Sequence, residues 1–148
     1  MADGDHSPPR ILLDDRQGDP VDLEALVVVA RETMIGEGVG DAELSLSLVT
    51  EDEMADLHER YMGESGPTDV LSFPLGEDDR DEEGVRILGD VVIAPAVAGR
   101  NNPGDPGAEV RLLVVHGILH LLGHDHMEDD ARAEMWARQE RYAGVRIP

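Results

Sequence analysis

The chain contains no cysteine, which excludes both a disulfide framework and a thiolate metal site. It also has no lysine: all 12 basic residues are arginine, against 33 aspartates and glutamates, and we attach no function to that bias. The formal net charge of −21 opposes loose, sequence-independent attraction to nucleic acid or anionic lipid, so a polyanionic substrate would need a local positive site. Neither DNA nor a membrane is expected as a partner. The start of the chain shows no charged segment followed by an apolar run, and no apolar stretch approaches 18 residues, which leads us to expect a soluble, cytoplasmic protein.

What is present fits one domain, since 148 residues can bury a core without cross-links. Residues 1–9, with Pro8 and Pro9, read as a mobile tail that includes His6. A short strand is predicted over residues 11–13, a turn over 14–20, and then a helix capped by Asp22 with Leu23, Leu26, Val27, Ala30 and Met34 at helical spacing. Gly36, Gly38 and Gly40 stop that pattern. Leu44, Leu46 and Leu48 alternate with Ser45, Ser47 and Val49, as in a strand with one face more buried. Thr50 and Glu53 form a capping box for a second helix, with Met54, Leu57 and Tyr61 as its inner stripe.

Pro74 confines the strand over 70–75 to an edge or to a strand end. The acidic segment 76–84, GEDDRDEEG, reads as a solvated loop. Residues 87–94 form an interior strand that pairs with the previous one across that loop. Residues 99–107 read as a turn-rich connection, and Glu109 opens the next helix, with Leu112, Val115, Leu119 and Leu122 as its apolar stripe. A last helix spans about residues 129–142, with Met135, Trp136 and Tyr142 available for packing.

Four of the chain's 6 histidines fall within residues 116–126, HGILHLLGHDH. His116 and His120 are four apart, so on a helix they share one face about 6 Å apart along the axis. Gly123 offers a left-handed helix end that turns the chain back and brings up His126. On an unbroken helix His124 would instead sit about 12 Å along the axis from His116, a long span for metal–nitrogen bonds of about 2.0 to 2.1 Å. The expected ligands are therefore His116, His120 and His126. Zinc suits three neutral imidazoles, as do nickel, copper and iron. Three protein ligands leave a position for water, which suits hydrolysis of esters, amides or phosphodiesters.

The spacing matches the metzincin peptidase pattern H-E-x-x-H-x-x-G-x-x-H except at the general base, where this chain has Gly117. Once the chain is read through, residues 116–126 resemble the H-G-x-L-H-L-x-G-x-D-H signature of the YbeY family, metal-dependent endoribonucleases also described as rRNA maturation factors. Residues 67–74, PTDVLSFP, and 89–94, GDVVIA, are similar to that family too, so the resemblance runs from about Leu57 to His126.

It implies an α+β fold with a small mixed four-stranded sheet, four to five helices and a zincin-like histidine helix. It also implies one zinc, cleavage of single-stranded RNA in rRNA precursors, and a ribosome or ribosome-associated protein as partner. Many family members have arginine where this chain has Met62, and often tyrosine where it has His124. The nucleophile is left open between water and a ribose 2′-hydroxyl. Thr68, Asp69 and Asp125 are as easily turn residues as site residues, and no general base is assigned. The competing readings are a metallopeptidase and a non-catalytic zinc module that docks on the ribosome, its shell closed by His124 or Asp125.

Overall fold

The computed structural model describes residues 9–76, 79–124 and 129–143. The elements in chain order are β1 (Arg10–Asp15), α1 (Leu23–Gly36), β2 (Glu43–Leu48), α2 (Glu51–Met62), β3 (Val70–Pro74), β4 (Ile87–Ile93), α3 (Pro95–Asn101), α4 (Pro106–Leu121) and α5 (Asp129–Ala143). The strands form one sheet in the order β1-β2-β4-β3, with β1, β2 and β4 parallel and β3 antiparallel to β4. Among the described residues, five helices around a mixed four-stranded sheet make the α+β architecture expected from the sequence.

Local chemistry accounts for most boundaries. The side chain of Asp22 accepts the Ala25 amide and Thr50 Oγ1 accepts the Glu53 amide, so α1 and α2 begin where the capping residues lie. In β2, Leu44, Leu46 and Leu48 are fully buried while the residues between them are half-buried, the period of two of a strand with one inner face. That face meets Leu26, Ala30 and Met34 of α1, Val114 and Ile118 of α4 and Met135 of α5 in the main core. A smaller core on the opposite face joins Met54 and Leu57 of α2 to Leu71, Phe73 and Val92.

Gly89 has φ +136°, and a Cβ there would lie 2.3 Å from the Phe73 carbonyl oxygen. Only glycine fits this step in β4, where the register slips from Glu43↔Ile87 to Leu44↔Gly89. The hairpin of β3 and β4 and the edge position of Pro74 follow the sequence reading.

Several expectations are corrected. Asp14 and Asp15 extend β1 rather than opening a turn, because their register with Ser47 and Leu48 continues the parallel ladder. The short helix α3 occupies part of the supposed turn-rich connection; Pro95 starts it with no side-chain cap to announce it. The next helix opens at Pro106, not Glu109, with Asp105 as its cap. Leu112 and Leu122 are only half-buried, since α4 packs on α1, α3, α5 and the sheet and buries several faces at once. Tyr61 is 59% exposed and Trp136 is half-buried. Among the described residues no helix is long and apolar enough to cross a membrane.

Candidate metal centre

Helix α4 carries the first two expected ligands across the inner face of the sheet. Its close approach depends on Gly117, where a Cβ would come within 2.6 Å of Val91 Cγ1 and 3.3 Å of Ser72 Oγ. The Ser72 hydroxyl donates to the Gly117 carbonyl at 3.3 Å, tying edge strand β3 to the helix. Position 117 therefore faces the sheet, and a metzincin-type glutamate would collide with β4 rather than reach a substrate.

His116 and His120 lie side by side, their ring centroids 4.5 Å apart and their planes at 72°. Their Nε2 atoms are 3.0 Å apart. A tetrahedral zinc bound to both at about 2.0 to 2.1 Å would set the two nitrogens about 3.3 Å apart, so the pair fits one ion with a shift of a few tenths of an ångström. Both rings line a groove of ≈ 320 Å³ whose wall includes Met62, Val70, Leu71, Ser72 and Pro74.

The helix ends as the glycine predicts. Gly123 has φ +93°, its amide donates to the His120 carbonyl at 3.0 Å, and the His124 amide donates to the Leu119 carbonyl at 3.0 Å. These are the two bonds of a Schellman motif, which stops the helix and turns the chain. His126, the expected third ligand, lies outside the described residues, as do His6 and Asp125. The structure thus brings together His116 and His120 and leaves the third position undescribed.

His124 is committed elsewhere. Its Nε2 lies 3.1 Å from Oε1 of Glu37, whose side chain is only 4% exposed. Glu37 Oε2 also accepts from Arg138 Nη1 at 2.6 Å and from the Tyr142 hydroxyl at 2.7 Å. Burial pushes the Glu37 carboxyl up, but these three hydrogen bonds and the Arg138 charge outweigh it and hold the group below its usual range. Burial and the same hydrogen bond push the Tyr142 hydroxyl up. A docking module with His124 as its fourth ligand would have to bind through Nδ1, since Nε2 faces Glu37.

Sequence reasoning missed two features. One is the Glu37 cluster, whose other members lie 87 to 105 positions from Glu37. The other is Gln139, whose Oε1 is hydrogen-bonded to His116 Nδ1. A faint signal for Gln139 existed: it follows the buried Met135 by one helical turn and is itself 1% exposed. Glu109 shares the His116 face of α4 two turns earlier; burial and then the nearby Asp69 raise its carboxyl above the ordinary value. A larger cavity of ≈ 450 Å³ lies among α1, α3 and α4, lined in part by Asp22, Pro95 and Arg111; neither His116 nor His120 lines it.

Fold and groove together define a class: a mixed-sheet α+β protein with a histidine pair on its central helix, set beside an antiparallel edge strand. The profile of the Endoribonuclease YbeY family matches residues 17–144, and the chain belongs to that family of endoribonucleases. It is 49% identical over 139 residues to Endoribonuclease YbeY of Thermobifida fusca, a match covering 87% of this chain and 89% of the relative. It is 54% identical over 110 residues to the same-named protein of Acidothermus cellulolyticus, a match spanning 66% of each chain. A Thermotoga maritima protein solved in solution has a similar fold, with a TM-score of 0.63 and 34% identity over 91% of this chain and 86% of that one.

Proposed function

We propose that the chain is a zinc-dependent endoribonuclease that cleaves single-stranded segments of rRNA precursors during ribosome maturation in the cytoplasm, with His116, His120 and His126 holding the ion. Nickel or another transition metal satisfies the same donor set. The observation that carries this reading is the convergence of two imidazole Nε2 atoms, 3.0 Å apart, at the side of an open groove. Bound there, zinc would supply Lewis-acid stabilisation of charge on a phosphoryl oxygen and would acidify water.

The chain's own residues supply the setting. Met62, Val70, Leu71 and Pro74 make a largely apolar wall, and Ser72 holds that wall to the helix. Among the described residues the groove lining holds no arginine or lysine, so the histidine centre is the group there to which we assign the substrate phosphate. With a net charge of −21, the free protein should bind RNA weakly, and a ribosome or ribosome-associated protein would deliver the substrate.

A peptidase reading is disfavoured by Gly117, packed on Val91 where the base would have to stand. The deciding experiment incubates metal-loaded protein with a structured rRNA fragment and with an unfolded protein, each with and without chelator. Chelator-sensitive cleavage of the RNA alone is expected. Cleavage of protein but not RNA would establish the peptidase, and cleavage of neither would favour a docking module.

A further inference from the structure

The side chain of Gln139 is almost completely buried, and α5 delivers it to one atom of the candidate centre: its Oε1 meets Nδ1 of His116. An amide oxygen carries only lone pairs, so Nδ1 must be the donor. An imidazole that donates from Nδ1 keeps its proton there and presents a bare lone pair at Nε2. That Nε2 is the atom 3.0 Å from Nε2 of His120 beside the groove. Burying an amide without a partner costs about 1 to 3 kcal/mol, so the contact is a fixed feature of the packing between α4 and α5.

We infer that Gln139 is a positioning residue: it fixes the tautomer and the plane of His116, so that the lone pair of Nε2, and not its proton, faces the ion position beside His120. Such partners of a ligand imidazole typically change metal affinity by about 10- to 100-fold. The role also gives α5 a part in the centre. This inference rests on the zinc reading for its consequence, but its geometry can be tested without metal.

The test uses the full chain and two variants, Gln139→Leu and Gln139→Glu. In the metal-free wild type, long-range 1H–15N spectra of the imidazoles, assigned by single histidine replacement, should show His116 as the Nδ1–H tautomer. Gln139→Leu should lose that preference and bind zinc about 10- to 100-fold more weakly in competition with a chromophoric chelator. In Gln139→Glu the carboxylate still accepts from Nδ1, so both properties should be restored to within a few-fold.

An Nε2–H tautomer in the wild type would overturn the inference, as would a folded Gln139→Leu protein with unchanged tautomer and zinc affinity. If Gln139→Leu does not fold, the wild-type spectrum and the Gln139→Glu affinity decide the matter. Should the wild type show the expected tautomer yet bind no zinc, the zinc reading falls while the positioning of His116 stands.

Discussion

His124 Nε2 lies 3.1 Å from Glu37 Oε1, a contact that joins the turn after the histidine helix to the end of α1. This separates the roles of neighbouring histidines. Replacing His116, His120 or His126 singly with alanine should abolish stoichiometric zinc binding. His124→Ala should keep it and lose about 1 to 2 kcal/mol of stability, since Glu37 retains its other two donors. Elemental analysis after desalting, with urea unfolding, reads both quantities; loss of the ion in His124→Ala with retention in His126→Ala would reverse the assignment.

The same carboxylate sets an acid limit on stability. A carboxyl whose folded pKa is below its unfolded value stabilises the protein above the unfolded pKa, here 4.5, and loses that contribution as the pH falls through the folded value. The urea midpoint of the wild type should therefore exceed that of Glu37→Gln by its largest margin above about pH 5. The margin should shrink steadily below 4.5. A difference that does not change between pH 3 and 7 would show that the charge of Glu37 is not what holds this corner.

Replacing Gly117, within α4, and Gly123, just past its end, should fail for different reasons. At Gly117 alanine gains up to about 1 kcal/mol of helix propensity, but its Cβ would lie 2.6 and 2.9 Å from the two methyls of Val91. Val91 is fully buried and β-branched, so helix and sheet must part; overpacking of this kind costs about 1 to 3 kcal/mol, and a net loss follows. At Gly123 a Cβ meets nothing within 4 Å, and the penalty is the φ of +93° alone, about 1 to 2 kcal/mol. Gly123→Asn should recover part of it. Thermal melts of the three variants test the distinction; stabilisation by Gly117→Ala would contradict the close packing.

These cases also show what the sequence made legible. Several local signals gave their elements as read: the alternation of Leu44, Leu46 and Leu48, the Thr50 cap, Pro74 at a strand end and Gly123 at a helix end; the Asp105 cap of α4, equally local, was passed over for Glu109. The pairing of His116 with His120 was legible for the same reason, being a property of one helix. Tyr61 was misplaced because periodicity gives a face and not what covers it; the last turn of α2 reaches the edge strand, where Phe73 meets its ring edge-on at 5.3 Å. Gln139 and Glu37 stayed hidden because each acts on a histidine brought near by packing of α5 and α1 against α4, which no spacing in the chain encodes.

The groove wall yields the last prediction. Met62 is 46% exposed and lines the groove with both histidines, at the position where the resemblance to the family suggested an arginine. If a scissile phosphate passes this point, Met62→Arg adds one cation beside its path and should tighten binding of a single-stranded RNA. It should also make the salt dependence steeper, changing the slope of log K against log salt by about −0.7, the increment for one phosphate contact on a single strand. The side chain is at the surface, so stability should change by less than about 0.5 kcal/mol. Fluorescence anisotropy across a salt series measures the slope directly. A variant that binds RNA with unchanged affinity and slope would mean that the strand runs elsewhere, and the groove beside His116 and His120 would then have to be approached from another side.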